Sequence, residues 1–138
     1  MRLPAAGGWE AAMEPTPWIL VIDDDHWTRE ALGSILRRAG YQVTHLEGFD
    51  RELAAGNFPQ HYQVAVVDYH LPHLNGLEVA RRIKMFQPDC RIVLISSELP
   101  RLTEFAGQEA VVDCFLAKPF SKDAILEVIA RLCPALVK

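Results

Sequence analysis

Residues 19–22 (ILVI) and 64–67 (VAVV) are apolar at every position. A strand that faces water on one side alternates apolar and polar residues, so an unbroken apolar strand must be covered on both faces. Between such runs the period changes. Leu32, Ile35, Leu36 and Ala39 fall at i, i+3, i+4 and i+7, one face of a helix, and Gly40 follows as its stop. Doubly covered strands alternating with one-sided helices leave few solutions. The simplest is a parallel sheet with helices on both faces, joined by right-handed crossovers.

The rest of the chain repeats this alternation. Residues 41–46 read as a second strand whose mixed polarity suggests a sheet edge, and residues 49–58 as a short helix ending near Gly56-Asn57. After 64–67, Asn75-Gly76 offers a helix cap ahead of Leu77, Ala80 and Ile83. Residues 91–95 form strand four, and Pro100 can open a helix that carries Leu102, Phe105 and Ala106. Residues 115–117 are a fifth strand, and Ser121 caps a last helix with Ile125, Val128, Ile129 and Leu132 on one stripe. Five β-α units result. Residues 1–17, rich in Ala, Gly and Pro without a period, read as a flexible arm before a single domain at 18–138.

Composition removes several functions. The 138 residues carry a net charge of −4, which points away from nucleic-acid and membrane surfaces. The paired bases Arg37-Arg38 and Arg81-Arg82 lie in amphipathic stretches and belong on solvated helix faces. Cys90, Cys114 and Cys133 are odd in number and lack a C-x-x-C spacing, so neither a disulfide framework nor a zinc site is suggested, and Cys90 and Cys114 read as small core residues. No apolar stretch has membrane-span length, and the first residues lack the apolar core of a secretory signal; a reducing cytoplasm is the expected compartment.

Each central strand is polar at its C-terminal end. Strand one ends in Asp23-Asp24-Asp25, strand three in Asp68, strand four in Ser96-Ser97 and strand five in Lys118. In a parallel sheet these ends share one edge, where open α/β sheets bind ligands. Carboxylates gathered there repel one another unless a cation shares them. Oxygen donors alone suit a hard divalent ion, Mg²⁺ first, which keeps waters for a phosphoryl group. Asp68 can then act as a carboxylate nucleophile, with Lys118 and the Ser96 hydroxyl holding phosphoryl oxygens. Asp25 reads as a helix cap, and Trp27 as a half-exposed packing residue.

With these residues in view, the chain resembles a response-regulator receiver domain of two-component signalling, of the single-domain chemotaxis-regulator kind. VIDDD, VVDYHLPHLNG, VLISSE and FLAKPF occur in that order over roughly residues 17–137. The resemblance implies a flavodoxin-like three-layer (βα)5 sandwich with a parallel five-stranded sheet in the order 2-1-3-4-5. It implies that Asp68 is the phosphoacceptor, that Asp23, Asp24, Asp68 and the backbone carbonyl of His70 hold Mg²⁺ (or Mn²⁺ in its place), and that Lys118 precedes a cis peptide bond to Pro119. Ser96 and Phe115 match the switch pair. The phosphodonor would be a sensor histidine kinase or a phosphotransfer protein. The switching face would be built by the fourth helix, strand five and the fifth helix, and could support a homodimer. His70 and Glu98 occupy positions that modulate dephosphorylation in such domains.

Departures from the pattern are Asn75 where Asp is common, Val111 where Gly is usual, and the region from Glu98 to Val112 as a whole. The same residues admit other readings. Asp23-x-Asp25 resembles the opening of a haloacid-dehalogenase phosphatase, but Trp27 stands where that pattern has Thr. Flavodoxins bind a phosphate after strand one through Ser, Thr and Gly, whereas DDDHW would repel it. His70 and His73 lack the partners of a transition-metal site. The alternative function is a degenerate receiver that binds partners without phosphorylation, either standing alone or as part of a larger protein.

Overall fold

The structure, a computed structural model, describes residues 16–97 and 111–133. Its elements are β1 (Trp18–Ile22), α1 (His26–Arg38), β2 (Gln42–Leu46), α2 (Arg51–Ala54), β3 (Val64–Asp68), α3 (Gly76–Phe86), β4 (Arg91–Ser96), β5 (Cys114–Ala117) and α4 (Lys122–Leu132). All strand pairings are parallel, in the order β2-β1-β3-β4-β5. This is the expected flavodoxin-like arrangement. The helix expected around Leu102, Phe105 and Ala106 and the arm at residues 1–15 lie outside the described residues. Pro17 already joins the sheet, its carbonyl accepting from the Gln42 N–H at 3.1 Å.

The two sheet faces feed separate cores because strand side chains alternate. Ile19, Val21, Val64, Val66, Val93 and Ile95 pack against Leu32 and Leu36 of α1 and Ile125, Val128 and Ile129 of α4. Leu20, Ile22, Ala65, Val67, Ile92 and Leu94 pack on the other face against Leu53 of α2 and Val79, Ala80 and Ile83 of α3. β3 is buried throughout, and β1 and β4 are buried after their first residues, as their unbroken apolar runs require. Cys90 and Cys133 are core residues, whereas Cys114 is only partly covered, since β5 lies at the sheet edge.

Local chemistry sets the helix ends. Asp25, Asp50, Asn75 and Ser121 cap α1, α2, α3 and α4, each accepting a backbone N–H three residues on. Gly40, at φ +101°, ends α1 in the left-handed conformation that glycine adopts without strain. The helix expected over residues 49–58 is a single turn, α2. Asp50 starts it late, and Gly56 at φ +89° turns the chain where any Cβ would strike the Phe86 ring at 2.7 Å. Trp27 departs further from expectation. It is 77% exposed, with an edge-on contact to the His26 ring.

Candidate functional site

Four strand ends deliver the site. β1 ends at Ile22, and the next residue, Asp23, is held by the Leu46 carbonyl of β2, which accepts from its N–H at 3.1 Å. β3 ends in Asp68 itself. The Lys118 N–H, just past β5, donates to the Ser96 carbonyl at the end of β4 at 2.7 Å, so those two ends are tied side by side. The peptide bond between Lys118 and Pro119 is cis, as the resemblance implied. Parallel register therefore does what the sequence pattern required: residues far apart in the chain meet on one sheet edge.

Asp23 and Asp68 are buried, and Asp24 is exposed. Each offers a carboxylate oxygen, and the three oxygens lie within 4.8 Å of one another. Lys118 Nζ sits 2.8 Å from Asp23 Oδ2 and 3.4 Å from Asp68 Oδ2. The closer contact is an ammonium–carboxylate ion pair at hydrogen-bond distance, so Lys118 is the counterion of Asp23 Oδ2. The other Asp23 oxygen accepts from the Asp25 N–H at 2.9 Å, and Asp68 Oδ1 accepts from the His70 N–H at 3.2 Å.

One lysine serves two buried carboxylates, and the electrostatics show the shortfall. Burial first, and then the neighbouring charge of Asp23, push the Asp68 carboxyl up to about 6, against the opposing pull of Lys118 and the His70 N–H. Burial alone would lower Lys118, but its contacts with Asp23 and then Asp68 outweigh burial and raise it. Lys118 is thus held as a cation while the acids stay undercompensated. A second cation would relieve them. Two buried carboxylates sharing one ammonium, all-oxygen donors and an exposed third carboxylate form an acidic pocket that fits a hard divalent ion.

Of the other expected residues, Ser96 is buried at the end of β4 beside Lys118, and Phe115 is 41% exposed on β5. Asp25 is a cap as expected: its Oδ2 accepts from the Thr28 N–H and hydroxyl, and these bonds hold its carboxyl below its usual range. Glu98 lies outside the described residues.

Two contributors escaped the sequence reading. Gly76 begins α3 so close to β3 that a Cβ would fall on the Asp68 carbonyl and 2.7 Å from Tyr69 Cα. An asparagine cap followed by glycine concealed this, because glycine is common near caps for other reasons. Arg29 Nη1 donates to the Asp23 carbonyl at 2.7 Å. Its signal was available: α1 has no acid in its first turn and an arginine directly after it, contrary to the helix dipole.

Comparison with known proteins agrees with this architecture. The family model described as the response regulator receiver domain matches residues 19–130. The chain belongs to that family. It is 36% identical over 118 residues to the response regulator MprA of Mycobacterium sp. (strain KMS), covering 83% of this chain and 48% of the relative. It is 30% identical over 107 residues to a cyclic di-GMP phosphodiesterase of Thermotoga maritima, covering 78% and 28%. The chain thus spans less than half the length of these relatives. Among solved structures, the T. maritima response regulator TrrA in complex with Mg²⁺-BeF matches with a TM-score of 0.72 at 27% identity, covering 85% and 99% of the two chains. The chemotaxis protein CheY4 of Vibrio cholerae shares the fold, with a TM-score of 0.76 at 22% identity, covering 86% and 99%. The family is one of signalling domains, and among the described residues no helix is long and apolar enough to cross a membrane.

Proposed function

We propose that this chain is a phosphoacceptor receiver in which Asp68 takes a phosphoryl group from a phosphohistidine of a sensor kinase or phosphotransfer protein in the cytoplasm. The observation that carries this reading is the meeting of Asp23, Asp24 and Asp68 under a single lysine. The Mg²⁺-BeF complex of TrrA supports it, as does a Burkholderia pseudomallei response regulator with a phosphorylated aspartic acid and a calcium ion, 28% identical to this chain with a TM-score of 0.70.

In this reading Asp23, Asp24, Asp68 and the His70 carbonyl hold Mg²⁺, or Mn²⁺ in its place. The metal supplies charge neutralisation on the phosphoryl oxygens. An ionised Asp68 oxygen attacks phosphorus, the P–N bond to the donor histidine breaks, and the imidazole leaves with the bond pair and takes up a proton. Lys118 already lies beside Asp68 and binds a second phosphoryl oxygen, and the Ser96 hydroxyl donates to a third. Ser96 and Phe115 then act as the switch. The surface changed is that of β5 and α4, which receives a protein target or a second copy. His70 tunes the lifetime of the acyl phosphate, so His70→Asn changes the decay rate; an unchanged rate would remove that role.

The test is intact mass after incubation with Mg²⁺ and a small phosphodonor such as acetyl phosphate, beside Asp68→Ala. One added phosphoryl group in the native chain alone supports the proposal. A folded native chain that gains none favours a phosphorylation-independent interaction module.

A further inference from the structure

Asp23 is fastened from three sides. Its N–H donates to the Leu46 carbonyl at 3.1 Å, its Oδ1 accepts from the Asp25 N–H at 2.9 Å, and its carbonyl accepts from Arg29 Nη1 at 2.7 Å. Oδ2 takes no part in these three bonds and faces Lys118 Nζ at 2.8 Å, the same ammonium that lies 3.4 Å from Asp68 Oδ2. The first bond ties Asp23 to the edge strand β2. The second is local to the turn. The third ties Asp23 itself to α1, beside the cap bonds that Asp25 makes with Thr28.

Arg29 is an odd residue for its place. A cation near a helix N-terminus opposes the helix dipole. Among the described residues it makes no ion pair, although three aspartates precede it. Its guanidinium takes a backbone carbonyl instead. An arginine used only for charge would face a carboxylate. One used to set a backbone would do what this one does.

We propose that Arg29 is a positioning residue for the acidic cation site, fixing the turn after β1 so that Asp23 Oδ2 stays beside Lys118 and Asp68. The proposal rests on the functional reading above and adds a residue to it. Two effects of Arg29 on Mg²⁺ have opposite signs, which makes the idea sharp. As a charge it repels Mg²⁺, so its removal should tighten binding. As a positioner it prepares the site, so its removal should weaken binding, by analogy with the ~10-fold or larger losses seen when groups behind a metal ligand are removed.

The experiment titrates Mg²⁺ alone into the full chain, followed by calorimetry and by the amide signals of residues 23–25, for native protein, Arg29→Met and Arg29→Lys. Arg29→Met should bind Mg²⁺ about tenfold more weakly, with Arg29→Lys in between. In metal-free protein the Asp25 amide should exchange faster in Arg29→Met, because the oxygen it bonds is no longer fixed. Equal or tighter Mg²⁺ binding by Arg29→Met overturns the proposal, as does a lowered melting temperature with Mg²⁺ affinity and Asp25 exchange unchanged. Should Arg29→Met fail to fold, native affinity and native Asp25 exchange in Arg29→Lys overturn it. A native chain that binds no Mg²⁺ overturns the functional reading as well, whereas native binding with a tighter Arg29→Met overturns only the role of Arg29.

Discussion

Asp113 and Asp68 sit at opposite ends of the same sheet, and their surroundings differ in kind. Asp113 precedes β5. Its Oδ2 accepts from the Ile92 N–H at 2.8 Å with Lys84 Nζ 3.7 Å away, its Oδ1 lies 3.5 Å from Arg91 Nη1, and its own N–H donates to the Ile92 carbonyl at 2.9 Å. Two cations and a backbone donor serve one carboxylate. At the other end, one lysine is shared by Asp23 and Asp68, with Asp24 close by. An acid whose oxygens are all matched within the chain closes a strand end. Acids left short of positive charge mark a place completed by something from outside.

That contrast can be broken deliberately. The largest expected effect is at Gly76, where a methyl group meets the backbone of Asp68 and Tyr69 and the Leu94 side chain. Gly76→Ala should lower unfolding stability by about 2–4 kcal/mol in urea titrations, because the obstacle is mostly main chain and cannot turn aside. Next is Asp113→Ala, expected to cost about 2 kcal/mol, since it strands the Ile92 N–H and removes the partner of Lys84.

Asp68→Asn should have the opposite sign. The Asp68 carboxyl is raised from an ordinary carboxylate value to about 6 in the fold. A group raised on folding contributes most below its unfolded value, and that contribution is lost as pH climbs through the folded one. Ionised Asp68 therefore destabilises the metal-free protein near neutrality. Asp68→Asn should be more stable than native at pH 7 by about 1–2 kcal/mol, with the gap closing on acidification between about pH 6 and pH 4. A comparable gain in Asp113→Asn would contradict the contrast between the two ends. The smallest effect expected is Ser121→Ala, which removes the α4 cap and should cost about 1 kcal/mol without touching the acidic pocket.

Much of this was legible in the sequence because it rests on period and position. The doubly buried strands announced themselves as unbroken apolar runs, and Asp23, Asp68, Ser96 and Lys118 were placed by the fact that each follows such a run. The weak points were residues whose role depends on distance rather than pattern. Trp27 looked like a packing residue because tryptophans usually are, yet it extends into solvent. The helix over residues 49–58 shrank to one turn because its start and stop, Asp50 and Gly56, lie closer together than its apolar residues suggested. Gly76 and Arg29 act on backbone atoms, Asp68 O and Asp23 O, and backbone approach leaves almost no mark on composition.

The central claim is that the acidic edge is short of one divalent cation. It is tested most directly by following the Asp68 side-chain carboxyl through a pH titration by carbon-13 NMR, with and without Mg²⁺. Without metal, Asp68 should titrate near 6, because burial and the neighbouring charge of Asp23 raise it. Saturating Mg²⁺ should move it down, because the metal binds the ionised form. An Asp68 that titrates in the ordinary carboxylate range and ignores Mg²⁺ would contradict the account.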